Sequence, residues 1–178
     1  MHTIHEDMEA FQKQLRDGSI QRAYRTLLSY IMSLRAHFKK RYPDFAVSGL
    51  YQGYLDMTYF ALTPSALKHH SLKIALVFNY ETFRFGVWLV GRNRQVQRRY
   101  WELFEGSQWT DYRVVTPAKG VDAIVAYDLA EDFDFDDPDA LTSTIEVATI
   151  AFIDDMERFL SEHQPDEGEA LSPGLLNQ

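Results

Sequence analysis

Residues 72–90 read LKIALVFNYETFRFGVWLV, and the fold turns on how this stretch pairs with itself. Two apolar runs rich in β-branched and aromatic residues, 72–79 and 82–90, are separated by Tyr80-Glu81 alone, which is the pattern of an antiparallel hairpin. A pairing in which partner numbers sum to 161 sets Phe78 opposite Phe83, Leu76 opposite Phe85, Ile74 opposite Val87 and Leu72 opposite Leu89. Every pair on that face is apolar. A slip of one residue would send the two apolar sets to opposite faces, so an even-length turn around Tyr80-Glu81 is expected. The other face then carries Lys73/Trp88, Ala75/Gly86, Val77/Arg84 and Asn79/Thr82, a mixed surface with two small residues at its centre.

Upstream, residues 47–62 read as a further strand, broken or bulged at Gly49 or Gly53. In that reading Leu55, Met57 and Tyr59 point to the core, while Tyr54, Asp56 and Thr58 join the second face. Before it come two amphipathic helices. Residues 3–17 space Met8, Phe11 and Leu15 at helical intervals, and Asp17-Gly18-Ser19 stops that helix and caps the next. The second, 20–41, repeats Ile20, Tyr24, Leu27, Leu28, Ile31, Leu34 and Phe38 on one stripe and ends at Tyr42-Pro43. Downstream, 93–104 reads as a helix, 112–115 and 121–127 as short strands, and 138–161 as a last helix opened by Asp137-Pro138. The order α-α-β-β-β-α-β-α makes an α+β domain over residues 1–161, with helices packed on a small antiparallel sheet. Residues 162–178 turn polar and rich in Pro and Gly and read as a disordered tail.

The composition fits one domain. A chain of 178 residues with 46% hydrophobic and 14% aromatic side chains can bury a core without staples. The sequence has no cysteine, which excludes a disulfide scaffold, a thiolate nucleophile and a zinc ribbon and suits a cytoplasmic setting. Residues 1–17 carry acids and no long apolar run, unlike a signal peptide, and the apolar stretches are strand-sized, so no membrane partner is expected. Net charge is −8 but unevenly spread. Residues 1–101 hold 15 Lys and Arg against 7 Asp and Glu, and residues 102–178 hold 3 against 19. Two halves of opposite sign either neutralise each other in one fold or mark an anion-binding half with an acidic arm.

The second sheet face is the leading candidate site. Tyr54, Asp56, Arg84 and Trp88 are expected around the dent at Ala75 and Gly86, where an aromatic plane, a cation and a carboxylate suit a small polar or anionic ligand. The structural alternative pairs Asp56 with Arg84 and lays a helix, such as the last one, over the dent. A second candidate is Arg92, Arg94, Arg98 and Arg99 beside Tyr100 and Trp101, a set able to contact phosphates and stack bases. The bland alternative is a solvated helix face opposed by the acidic run 128–139. That run lacks the central glycine and the twelfth-position glutamate of a calcium loop. His69-His70 lies in an expected loop with no third ligand nearby, so neither a metal nor another cofactor is expected. There is no G-x-S-x-G elbow and no glycine-rich phosphate loop.

Two resemblances add to these readings. Pro43-Asp44 followed by strands resembles the PD-(D/E)xK nucleases, whose core runs α-β-β-β-α-β and whose chemistry needs a second carboxylate and a lysine to hold Mg²⁺. Here Ser71-Leu72-Lys73 puts serine at the acid's place, which implies a degenerate core with no active site. The stretches YIMSLRAHF (30–38), GYLDMTYF (53–60), LKIALVF (72–78) and FRFGVWL (83–89) resemble an uncharacterised bacterial domain-of-unknown-function family of small cytoplasmic proteins. That likeness covers most of residues 5–160 and implies one domain, with no catalytic residue attached to it. The sequence therefore points to a non-enzymatic cytoplasmic protein binding a small ligand or a protein partner on the second sheet face. A nucleic-acid-associated protein is the alternative, an enzyme using Asp56 as acid or base is the third reading, and self-association remains open.

Overall fold

The computed structural model describes residues 3–129 and 133–163. The chain runs α1 (Ile4–Leu15), α2 (Ser19–Arg41), β1 (Ala46–Val47), β2 (Met57–Thr63), α3 (Ser65–His69), β3 (Leu72–Asn79), β4 (Arg84–Gly91), α4 (Arg94–Gly106), β5 (Arg113–Val114), β6 (Ala123–Asp128) and α5 (Pro138–Glu162). The strands form one antiparallel sheet in the order β1-β2-β3-β4-β6-β5. The α+β class is as expected. The tail lies outside the described residues beyond His163, and Glu162 still belongs to α5.

Local chemistry sets the helix ends. Thr3 and Glu6 form a reciprocal capping box at α1: the Glu6 amide donates to Thr3 Oγ1 at 3.3 Å and the Thr3 amide to Glu6 Oε2 at 2.7 Å. Asn93 caps α4 by accepting from the Val96 amide at 2.9 Å, and Asp137 caps α5 by accepting from the Ala140 amide at 3.0 Å, with Pro138 following. Four helices feed one core. Ile31, Leu34 and Phe38 of α2, Leu67 of α3, Phe104 of α4 and Ile145, Phe152 and Met156 of α5 meet Phe60, Leu62, Ile74, Leu76, Phe78, Phe85, Val87 and Leu89 of the sheet. Each fully buried Phe or Leu contributes about 1.5–3 kcal/mol relative to exposure, so this layer dominates stability. Among the described residues no helix is long and apolar enough to cross a membrane.

The central hairpin keeps the expected face parity but shifts by two residues. Asn79 pairs with Arg84, Phe78 with Phe85, Leu76 with Val87 and Ile74 with Leu89. A four-residue turn, Tyr80 to Phe83, replaces the two-residue one. Asn79 Oδ1 accepts from the Glu81 amide at 2.9 Å and the Thr82 amide at 3.1 Å, and Phe83 takes a left-handed φ of 55°. A two-residue slip preserves apolar-on-apolar pairing, so the side chains alone could not separate the two registers. Turn chemistry decided it.

Residues 47–62 are broken rather than bulged, and fall into two strands. Ala46 pairs with Thr63 and Val47 with Leu62, while 48–56 loop out between them. Gly53 and Leu55 take φ of 67° and 62°, which no continuous strand allows, and a Cβ on Gly53 would lie 2.1 Å from the Met57 carbonyl oxygen. The faces of β2 are the reverse of those expected. Phe60 and Leu62 set the core side, and Thr58 goes inward with them, bonding the Gln52 carbonyl at 2.8 Å and the Tyr80 hydroxyl at 2.9 Å. Met57 and Tyr59 lie on the second face. His69 ends a short helix rather than sitting in a loop.

Both edges of the sheet are brief. β1 and β5 have two residues each, and the edge of β2 is further occupied by Ser48 and Tyr51, whose amides donate to the Ala61 and Tyr59 carbonyls at 2.9 and 2.8 Å.

Candidate functional site

The second face of the sheet carries small residues where a large one would fill it. Ala75 sits opposite Trp88 and Val77 opposite Gly86. The Trp88 indole leans across this gap: a Cβ built on Gly86 would lie 3.5 Å from Trp88 Nε1. Ala75, Val77 and Val90 are buried beneath Trp88, Met57 and Tyr59. The dent is thus roofed in part by a side chain of the sheet itself. α5 packs its apolar stripe into the opposite layer, so the last helix does not cover the dent.

Beside Trp88 the surface opens into a concavity of about 230 Å³. Its floor is Met57, Tyr59, Ala75, Val77 and Val90, and its rim carries Lys73, Arg92, Arg94, Gln97 and Asp122. The β4–α4 junction fixes this rim. A Cβ on Gly91 would fall 2.7 Å from the Gln97 amide nitrogen, so only glycine lets the first turn of α4 seat against the end of β4. Gln97 is nearly buried and its Nε2 donates to the Val121 carbonyl at 2.9 Å, which holds the loop before β6 against the same turn. Three cations face one carboxylate, and the positive end of α4 points the same way. Burial raises the pKa of the Tyr59 hydroxyl, and Tyr51 and Asp122 push it the same way, so it stays a neutral donor over the working pH range.

The expected site residues divide. Trp88, Arg92 and Arg94 come together at this groove, joining two clusters that the sequence presented as separate. Arg98 instead pairs with Glu102 at 3.0 Å on the exposed side of α4, and Arg99 acts on His70, whose Nδ1 lies 2.8 Å from the Tyr100 hydroxyl. Arg84 stands opposite Asn79 at the hairpin end, outside the groove lining. Tyr54 is 93% exposed in the loop before β2. Asp56 lies in that loop too, where its Oδ1 accepts from the Tyr54 amide at 2.9 Å and backbone bonds from Tyr54 and Met57 hold its carboxyl below the usual range. The structure does not bring Tyr54 and Asp56 to Trp88, because the left-handed turn at 53–55 ends the strand that would have carried them. Asp56 shapes the turn of that loop.

Lys73, Tyr59, Gln97 and Asp122 escaped the sequence reading as site residues. For Tyr59 the signal was present, since Phe60 and Leu62 already fix the parity of β2. Gln97 and Asp122 depend on the seating of α4, which no local pattern announces.

Elsewhere, a polar cluster joins α2 to α5: Glu146 accepts from the Tyr42 hydroxyl at 2.7 Å and lies 2.7 Å from His37 Nε2, with Arg41 at 3.7 Å. Tyr112 donates to Asp155 at 2.6 Å on the β5 side of α5. Among the described residues no group of three or more His, Asp or Glu is placed to hold a metal ion.

Together these features define an α+β protein with helices massed on one face of an antiparallel sheet and a cationic, tryptophan-walled groove on the other. The chain belongs to a family described as a domain of unknown function (DUF7000), whose model matches residues 4–160. No curated protein and no solved structure matches it.

Proposed function

We propose that this is a non-enzymatic binding protein that holds a small ligand in the groove on the second sheet face, and that the ligand combines an anionic group with a flat or apolar part. The observation that carries this reading is the juxtaposition of Trp88 and an apolar floor with Lys73, Arg92 and Arg94 on one rim. The floor and indole suit an apolar or planar body, and the cations with the α4 N-terminus suit its charge. Among the described residues the groove is lined mainly by apolar and basic side chains, which suits binding. We extend the proposal to a bacterial cytoplasmic setting, which the cysteine-free composition suits.

Native mass spectrometry of gently purified protein tests this, with a denatured control and a Trp88→Ala/Arg92→Ala variant. A non-covalent mass lost on denaturation and absent from the variant supports the reading. A mass that persists in the variant, or none in either protein, removes its basis. The alternative, a nucleic-acid-associated protein with a degenerate nuclease-like core, uses the same Arg92 and Arg94. It is disfavoured by the net charge of −8 and by the engagement of Arg98 with Glu102. Binding of a single-stranded oligonucleotide that falls steeply with salt would reverse that preference.

A further inference from the structure

We propose that the protein self-associates by exchanging its first helix: α1 of one copy docks in an apolar groove between α2 and the β3–β4 turn of a second copy, and reciprocally. Two uncovered surfaces in one chain carry the inference. The first is α1 itself. Ile4, Met8, Phe11 and Leu15 align on one stripe, yet no residue of α1 is buried: Ile4 is 85%, Met8 59% and Phe11 50% exposed. Such a stripe on a capped helix is the form in which helices enter apolar grooves. The second is a groove of about 460 Å³ lined by Ile20, Ala23, Tyr24, Leu55, Phe83 and Phe135 among others. Phe83 at its edge is 60% exposed.

Charge favours a match between the two. α1 carries Glu6, Asp7 and Glu9 against Lys13, whereas α2 carries six Lys and Arg and no acid. Among the described residues lining the groove the one charged side chain is Arg22, and on α1 Asp7 flanks the apolar stripe. The hinge favours exchange. Three residues, Arg16 to Gly18, join the helices, with Gly18 at φ 75° and its amide donating to the Leu15 carbonyl at 3.2 Å. This turn keeps α1 off the groove of its own chain in the structure. A second copy brings its α1 without having to reverse that turn, and a two-fold exchange fills both grooves and closes the assembly.

Sedimentation of the full chain at increasing concentration, with circular dichroism as a folding control, tests this. A dimer is expected, weakened on the order of 100-fold by Met8→Glu/Phe11→Glu, since both side chains are exposed in the single chain and would be anchors in the dimer. Arg22→Glu is expected to weaken it and Asp7→Arg to restore it in the double variant, a rescue that a merely structural Arg22 would not show. The chain's lack of cysteine permits a direct readout. Met8→Cys and Ala23→Cys preparations, mixed and oxidised, should link to each other faster than either links to itself. A chain that stays monomeric, a dimer indifferent to charges on α1, or a Met8→Cys/Ala23→Cys double variant that links within one chain on dilution would each overturn the exchange.

Discussion

The Tyr42 hydroxyl donates to Glu146 across 2.7 Å, joining the end of α2 to the middle of α5. His37 bonds the other carboxylate oxygen. Burial alone would raise the Glu146 pKa, but bonds from Tyr42 and His37 and the charges of His37 and Arg41 outweigh it and leave the pKa below 4.5. Burial, joined by the same contact, pushes Tyr42 up to about 12. A carboxyl depressed by folding adds stability above its unfolded pKa and loses it as pH falls through the folded value. Glu146→Gln is therefore expected to lower the melting temperature near neutrality, by about 1 kcal/mol of stability, and to shrink the loss below pH 4.5. Thermal melts of both proteins from pH 7 to pH 3 check this, and an unchanged acid slope would remove Glu146 from the account.

His70 gives the second pH prediction. Burial, then His69 and Arg99, hold its pKa below 6.5. The fold thus favours the neutral ring, and this contribution is lost as pH falls from the ordinary histidine range through the depressed value. In an NMR titration the His70 ring should protonate below 6.5, and Arg99→Gln should move its midpoint upward. A midpoint that ignores Arg99 would count against the coupling.

Gly91 is a packing prediction. Alanine there would drive a methyl into the Gln97 amide, so α4 must lift from β4. Gly91→Ala should cost about 1–3 kcal/mol in denaturant melts and disturb groove binding. Gly106→Ala, with open space at its Cβ, serves as the control and should change stability far less.

At the groove, Arg92→Ala and Arg94→Ala alter exposed side chains and should leave stability within about 0.5 kcal/mol. Each is expected to reduce affinity for an anionic ligand about tenfold, read by calorimetry with the mass found on the native protein. Arg98→Ala, whose partner is Glu102, should leave that affinity unchanged.

The long helices were legible because their chemistry is local: the α2 stripe, Asn93 and Asp137-Pro138 all sit where the structure uses them, whereas the five-residue α3 was read as a loop. The hairpin was legible in parity but not in register, since Phe78 finds an aromatic partner whether it faces Phe83 or Phe85. Ring contacts to both, at 5.1 and 4.9 Å, show how shallow that distinction is. Tyr54 and Asp56 lie away from the groove because two left-handed residues turned an apparent strand into a loop. Trp88, Arg92 and Arg94 line one groove, and only folding showed that these two clusters share a rim. Thr58 misled for another reason: a polar side chain read as outward is buried with both of its bonds satisfied inside.

The two-residue strands at the sheet's margins carry a consequence for the protein in a crowded solution. The long strands β2, β3 and β4 are the segments most able to template a foreign strand, yet β3 and β4 are interior and β2 is lined by residues 46–51. Among the described residues the outermost strand on each margin has only two residues, a poor template for a foreign strand. Short margins of this kind disfavour edge-to-edge growth, so at high concentration the protein should resist forming fibres through its sheet edges.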